Sequence, residues 1–226
     1  MIRLNACCVD DFLYMGQGMM SILNFLDYLG VAVFAISGAL VASRKEMDLI
    51  GFALMASLTG IGGGTVRDIL LGQDVFWIKT PYYLGICLFM TFIVFFTAHI
   101  IRRRFVVVLW ADALGIAAYS VMGAEVALMA GANELVAIAM GVITATFGGL
   151  VRDVICLETP LILRKEVYAT GTMVGASVYV GLGFMGISDT WAALSGFLAG
   201  FIIRSGGIAL GWTLPTYKPH PGRNYD

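Results

Sequence analysis

The chain carries little charge. Only 13% of its 226 residues are Asp, Glu, Lys or Arg, whereas 59% are hydrophobic. A soluble domain has about 25% charged residues, so these few charges cannot cover the surface of a soluble protein of this size. The composition excludes a soluble globular domain and indicates that most of the surface faces lipid.

Cysteine and histidine are also scarce. The four cysteines show no CxxC spacing, and only two histidines, His99 and His220, are present. We therefore expect no metal site, no redox site and no cofactor. The formal net charge of -1 provides no basic field for nucleic acid. No Ser/His pair or His/Asp/Glu cluster lies in an apolar stretch, which argues against an intramembrane enzyme.

Glycine, by contrast, is in excess. There are 28 glycines among 226 residues, which is about 12% against the usual ~7%. Most of them lie inside apolar runs, where they cannot serve as flexible linkers. Their positions must therefore be explained by the packing or the interruption of membrane helices.

Seven apolar stretches lie between the charged clusters, each near the 20 residues that a membrane-spanning helix needs. They predict an all-α integral membrane protein with seven transmembrane helices. The spans are 21–43, 48–70, 81–101, 106–129, 133–151, 167–187 and 190–212. The predicted division is an N-terminal extension 1–20, repeat one 21–105, repeat two 106–189, a seventh helix 190–212 and a tail 213–226.

Lys and Arg are unevenly distributed around these spans. If the N-terminus is outside, the inner face carries eleven cations and the outer face three. The positive-inside rule therefore predicts that the N-terminus lies outside and the C-terminus in the cytoplasm. The inner cations are Arg44, Lys45, Arg102, Arg103, Arg104, Arg152, Arg164, Lys165, Arg204, Lys218 and Arg223, and the outer ones are Arg3, Arg67 and Lys79.

The chain contains an internal repeat. A shift of 85 residues without a gap lays DYLGVAVFAISGALVA, which begins at Asp27, over DALGIAAYSVMGAEVA, which begins at Asp112. Each copy contains three spans, so the second copy enters the membrane from the opposite side. This predicts an inverted 3+3 repeat plus a seventh helix, with the functional site near the bilayer midplane.

The most specific motif occurs once in each copy. TGIGGGTVRD at 59–68 is equivalent to TATFGGLVRD at 144–153. Each glycine costs about 1 kcal/mol relative to alanine inside a helix, so we expect helices two and five to be broken here. Freed backbone groups are tolerated in a bilayer only against protein or a water-filled cavity, so two breaks predict a polar path. Close helix packing through small residues is the alternative.

Side chains in and near these motifs are the candidate functional residues. The pore-lining candidates are Gly62, Gly63, Gly64, Gly148, Gly149, Thr59, Thr144, Thr146 and Ser37. The candidates for pore mouths or structural ion pairs are Arg67, Asp68, Arg152 and Asp153. Ionisable groups in a membrane are costly unless they are paired or hydrated. Because adjacent residues point in different directions on a helix, we expect each arginine to reach partners beyond its own aspartate.

With seven spans, an inverted repeat and GIGGGTVRD matched by FGGLVRD, the chain resembles the bacterial trimeric intracellular cation (TRIC) channels over about residues 20–212. The resemblance implies a homotrimer in lipid in which each subunit conducts monovalent cations, chiefly K⁺ and also Na⁺, around the glycine-broken helices. The same family is also described as glycine transporters. A secondary transporter of a small amino acid is therefore the alternative function.

Overall fold

The computed structural model describes residues 22–101, 103–164 and 167–213, which form a bundle of α-helices. The long helices within these residues are α1 (Ile22–Arg44), α2 (Leu49–Leu70), α3 (Tyr82–Thr97), α4 (Arg104–Met129), α5 (Glu134–Ile155), α6 (Ala169–Phe184) and α7 (Asp189–Leu210). A one-turn helix, Phe76–Lys79, precedes α3, and 3₁₀ turns follow α3 and α5. The predicted N-terminal extension, the tail from residue 214 onward, Arg102 and Lys165 lie outside the described residues.

Six of the described helices are long and apolar enough to cross a membrane, when α3 is counted with the turn that continues it to Ile100. The protein is therefore an all-helical, multi-pass membrane protein. The exception is α6, whose 16 residues extend about 24 Å at 1.5 Å per residue, less than the ~30 Å hydrocarbon core. The crossing predicted at 167–187 stays a prediction.

The glycine motifs do not interrupt their helices. Helix α2 is continuous through 59–68, and α5 is continuous through 144–153. The predicted breaks in helices two and five are therefore wrong. Each motif lies where α2 and α5 contact each other, and the packing gained by close approach compensates for the low helix propensity of glycine.

The contact between α2 and α5 is made backbone to backbone. A Cβ atom added at Gly63 would overlap the carbonyl oxygen of Thr144, and one added at Gly148 would overlap that of Thr59. These two contacts are equivalent under the 85-residue shift. Glycine is therefore required at both positions by the proximity of the neighbouring helix.

Repeat-equivalent residues cap the starts of α2 and α5. The Asp48 Oδ1 atom accepts a hydrogen bond from the Gly51 N–H at 2.7 Å, and Asn133 Oδ1 accepts one from the Val136 N–H at 2.9 Å. Each cap satisfies one of the backbone donors that a helix leaves unpaired at its N-terminus.

We expect Asp48→Ala or Asn133→Ala to lower the free energy of unfolding by about 1 kcal/mol, because a cap is lost. Thermal unfolding of purified protein in detergent measures the effect. Asn133→Asp keeps the acceptor and is the control. A midpoint that falls as much in Asn133→Asp as in Asn133→Ala would contradict a capping role.

The helix ends define two faces of the bundle. The Asp27 face is the end at which α1 begins, α2 ends and α4 connects to α5. The Asp112 face is the opposite end, where an ion pair of 3.1 Å between Arg44 and Glu158 joins the ends of α1 and α5. Helices α1 and α4, which open the two repeats, are the most deeply buried of the candidate membrane spans.

Candidate functional site

Two clusters of charged residues lie inside the bundle, one near each face. The Asp27 cluster consists of Asp27, Arg67, Asp68 and Tyr83, and the Asp112 cluster consists of Asp112, Arg152, Asp153 and Tyr168. Each member of the first cluster has its equivalent in the second under the 85-residue shift. The repeat therefore places the same four side-chain types near both ends of the bundle.

Both clusters share an arginine–aspartate unit that holds the following chain segment. Arg67 Nε donates to Asp68 Oδ1 at 2.8 Å, and Asp68 Oδ2 accepts from the Phe76 N–H at 2.9 Å. In the second cluster Arg152 Nε donates to Asp153 Oδ1 at 2.8 Å, and Asp153 Oδ2 accepts from the backbone N–H of residue 161 at 3.0 Å. Each carboxylate thereby attaches the segment after its helix to the arginine.

Both arginines reach beyond their own aspartate, as expected, but only Arg152 does so through hydrogen bonds. Both guanidinium groups bond the adjacent carboxylate, because a long side chain can bend back to its neighbour. Arg152 also bonds two residues on other helices, whereas the guanidinium of Arg67 lies 5.6 Å from the centre of the Phe76 ring.

The Asp112 cluster is closed. Arg152 Nη1 donates to Asp112 Oδ1 of α4 at 2.9 Å and to the hydroxyl oxygen of Ser37 in α1. All three residues have no exposed surface. One side chain of α5 therefore connects three helices. Among the described residues, no hydrogen-bond partner reaches Arg152 Nη2.

The Asp27 cluster opens into a cavity, the vestibule, of about 370 Å³ at the Asp27 face. Asp27 accepts a hydrogen bond from the hydroxyl of Tyr83. Among the described residues, no ion pair joins Arg67 to Asp27. The vestibule is lined in part by Asp27, Arg67, Asp68, Tyr83, Met122 and Lys79.

An exposed ion pair lies at the mouth of the vestibule. Lys79 Nζ is 2.9 Å from Asp74 Oδ2, and both residues line the cavity. The hydrogen bond from Lys79, together with its positive charge, holds the pKa of Asp74 below its ordinary value. Asp74 is therefore ionised at neutral pH and keeps a negative charge at this entrance.

The predicted threonines lie buried between the two clusters and bond their own helices. The hydroxyls of Thr59 and Thr144 each donate at 2.6 Å to the carbonyl oxygen four residues earlier, and that of Thr146 does so at 2.8 Å. The Thr59 hydroxyl also packs against Gly38, and that of Thr144 packs against Gly123. These hydroxyl oxygens therefore lie in helix contacts of α1 with α2 and of α4 with α5.

The other three predicted glycines have different surroundings. Gly62 has nothing within 4 Å of an added Cβ and lines an apolar groove of about 440 Å³, together with its repeat equivalent Phe147. An added Cβ at Gly64 would meet the Phe76 ring at 2.6 Å. One at Gly149 would lie 3.0 Å from the Tyr168 hydroxyl. Gly62 thus faces the apolar groove rather than a charged cluster. Gly64 packs against Phe76, which is bonded to the Asp27 cluster, and Gly149 packs against Tyr168 of the Asp112 cluster.

A buried arginine of α7 completes the Asp112 face. Arg204 is fully buried, and its guanidinium carbon lies 5.0 Å from the centre of the Tyr168 ring. From the sequence Arg204 is predicted only as a cytoplasmic cation. A single arginine within an apolar run was the available indication of a buried role. The first repeat has no equivalent of this residue, because α7 lies outside the repeat.

A family model described as glycine transporter matches residues 24–99 and 109–183. The chain belongs to this glycine transporter family. The two matched segments begin 85 residues apart, so a single family model describes both copies of the repeat. The family assignment made from the glycine motifs is confirmed.

Relatives of this family member are membrane proteins. It is 42% identical over 202 residues to a UPF0126 membrane protein of Vibrio cholerae, covering 87% of this chain and 83% of the relative. It is 35% identical over 202 residues to the UPF0126 inner membrane protein YadS of Escherichia coli, covering 87% of this chain and 96% of the relative.

The family member is also similar to a solved channel structure. It is 46% identical to the TRIC trimeric intracellular cation channel orthologue of Rhodobacter sphaeroides, with a TM-score of 0.83. The match covers 85% of this chain and 100% of that chain. The similar solved protein is thus a membrane channel rather than an enzyme.

Proposed function

We propose that this family member is a monovalent cation channel, permeable chiefly to K⁺ and also to Na⁺, with an ion path inside each protomer of a homotrimer. The observation that carries the proposal is the 46% identity to a TRIC cation channel over the whole of that protein. At this identity the polar groups inside the bundle are expected to serve the same class of ligand.

The proposed path runs between α1, α2, α4 and α5. It begins in the vestibule at the Asp27 cluster, passes the contacts of Gly63 with Thr144 and of Gly148 with Thr59, and reaches the Asp112 cluster near the opposite face. Buried polar groups are costly in lipid unless they are paired or hydrated, so their alignment through the bundle supports a water-filled path in the open state. Because the helices are continuous, this path is lined by side chains and by close helix contacts rather than by unwound backbone.

We place the chain in the inner membrane as an inverted repeat with seven crossings, its N-terminus outside and its C-terminus in the cytoplasm. The 85-residue equivalence supports the inverted arrangement. The two helix caps lie at opposite faces, as do the two charged clusters, and the two glycine contacts between α2 and α5 are reciprocal. With this orientation the vestibule opens outward and the Asp112 face is cytoplasmic. The short helix α6 then crosses the hydrocarbon core, and the residues that connect it to α5 and α7 lie in the membrane–water interface.

A carrier of a small amino acid is the second candidate. The description of the matching family model favours it. The vestibule also presents carboxylates beside Arg67 and Lys79, a combination that suits a zwitterion. A carrier differs from a channel because it must occlude its substrate and expose it alternately to the two faces.

Purified protein in a planar lipid bilayer with K⁺ on both sides is expected to show unitary current steps. A channel conducts many ions per opening, whereas a carrier moves a few substrate molecules per conformational cycle. Uptake of labelled glycine into proteoliposomes is the parallel measurement. Saturable glycine uptake without unitary current would overturn the channel proposal.

A further inference from the structure

The charges of the Asp112 cluster are balanced once α7 is included. Its two carboxylates, Asp112 and Asp153, are both ion-paired to Arg152. Arg204 of α7 adds a second guanidinium group, 5.0 Å from the centre of the Tyr168 ring. With every group ionised, two positive charges therefore oppose two negative charges at this face, and the protein itself supplies both cations.

The Asp27 cluster has one positive charge fewer. Arg67 is its single cation among the described residues, and Arg67 is already ion-paired to Asp68 at 2.8 Å. Asp27 accepts a hydrogen bond at Oδ2 from the Tyr83 hydroxyl, and its Oδ1 atom makes no hydrogen bond or ion pair with any described residue. Helix α7 lies outside the repeat and provides no second arginine here. The cluster therefore carries one uncompensated negative charge when its groups are ionised.

The uncompensated carboxylate of Asp27 lines the vestibule. Lys79 at the mouth does not offset it, because Lys79 is paired with Asp74. The same cavity of about 370 Å³ is also lined by the rings of Phe76 and Tyr83 and by the apolar side chains of Met122 and Val126. An ionised carboxylate inside a membrane protein is costly without a counter-charge. The vestibule thus combines an unmatched carboxylate, aromatic rings and an apolar wall in one accessible cavity.

We propose that the vestibule binds a small organic cation with a guanidinium group, which pairs with Asp27 as Arg152 pairs with Asp112 in the other repeat. The bound cation supplies the positive charge that the Asp27 cluster lacks. Its alkyl part packs against the apolar wall that α4 contributes through Met122 and Val126. Such a site is compatible with a channel and with a carrier, and it is therefore independent of the proposed conduction.

The second repeat shows which cation suits this set of side chains. There a guanidinium bonds the aspartate, Arg152 to Asp112 at 2.9 Å, and another guanidinium lies over the tyrosine, Arg204 over Tyr168. The equivalents of that aspartate and tyrosine are the residues that line the vestibule. A guanidinium is planar, weakly hydrated and able to lie against aromatic rings, whereas an ammonium is a compact and strongly hydrated charge. The mixed aromatic and carboxylate lining therefore favours a guanidinium.

The first test measures binding and needs no current. In isothermal titration calorimetry of the purified protein in detergent, we expect ethylguanidinium to bind at a single site in each protomer. Ethylurea has a similar shape without the charge and should give no heat of binding. Asp27→Asn should weaken the binding of ethylguanidinium roughly tenfold or more, because a hydrogen bond between two charged groups is lost.

Glu134→Gln is the matched control for Asp27→Asn. It removes the same charge at the same face, but Glu134 lines a different cavity, between α4, α5 and α6, and not the vestibule. We expect Glu134→Gln to bind ethylguanidinium as the unaltered protein does. Equal affinities of the unaltered protein and a folded Asp27→Asn variant would overturn the proposed site.

The second test uses the unaltered protein in bilayers with all copies inserted in one orientation. Ethylguanidinium should block the K⁺ current from the Asp27 face at a concentration roughly tenfold lower than from the Asp112 face, because Asp112 is already paired with Arg152. Ethylurea should block from neither face. Equal potency of ethylguanidinium from the two faces would overturn the proposed site.

The two measurements separate failure of the site from failure of the channel. Binding that depends on Asp27, together with glycine uptake and no unitary current, would support the cation site and contradict the channel. Unitary currents without binding of ethylguanidinium would support the channel and overturn the site. Unitary currents that are blocked from the Asp27 face, with binding lost in Asp27→Asn, would support both.

Discussion

Gly63→Ala and Gly148→Ala are each expected to abolish most of the cation flux and to lower the free energy of unfolding by about 2 kcal/mol. The neighbouring substitution Gly62→Ala is expected to leave both the flux and the stability intact. A methyl group at 63 or 148 would overlap a carbonyl oxygen of the facing helix, and overpacking of this kind costs about 1–3 kcal/mol. A Cβ atom added at Gly62 would have nothing within 4 Å of it. Alanine there improves helix propensity by up to about 1 kcal/mol.

Thermal unfolding in detergent and K⁺ flux into proteoliposomes measure the two effects, with size-exclusion chromatography to monitor assembly. The comparison is sharp because positions 62 and 63 are adjacent in one helix and receive the same substitution. If Gly63→Ala were as stable and as active as Gly62→Ala, the backbone contact between α2 and α5 would not be required for folding or flux.

Asp112→Asn is expected to destabilise the protein by about 2–3 kcal/mol, because it removes one of the two charge partners of the buried Arg152 guanidinium and leaves only Asp153. The repeat-equivalent Asp27→Asn is expected to cost only about 1 kcal/mol. Asp27 has no ion pair to Arg67 among the described residues, and an amide oxygen can still accept from Tyr83.

Unfolding midpoints of the two variants measure this difference. Because one kcal/mol shifts the midpoint of a chain of this size by roughly 2–4 °C, the two variants should differ by roughly 2–8 °C. Asp112→Leu combined with Arg152→Met replaces the pair by apolar side chains and should recover part of the loss. Equal midpoints for Asp112→Asn and Asp27→Asn would show that the Asp112 ion pair contributes little to stability.

Hydrophobic spacing and charge placement predict the helices well. The six candidate spans begin and end within four residues of their predicted bounds, and the family follows from the glycine motifs. These features are local or periodic, so a single sequence contains them. The repeat also pairs Arg67 and Asp68 with Arg152 and Asp153 in advance, but it does not predict the clusters that they form with Asp27, Tyr83, Asp112 and Tyr168.

Helix continuity at the glycines was not predictable by the same reasoning. Helix propensity penalises Gly62–Gly64 wherever they occur, but the carbonyl of Thr144 that faces Gly63 is 81 positions away in the sequence. The difference in bonding between the Asp27 and Asp112 clusters could not be predicted from the sequence either. It depends on Ser37 facing Arg152, a contact between residues 115 positions apart that no spacing rule reveals.

The reciprocal contacts of Gly63 with Thr144 and of Gly148 with Thr59 join α2 and α5 at two points. Two helices held at two separate points cannot rotate or slide independently, so they behave as one rigid body. Conformational change in each protomer must then be carried by the helices around this body, chiefly α1 and α4. The glycines that first suggested flexible breaks instead provide the fixed element against which the other helices move.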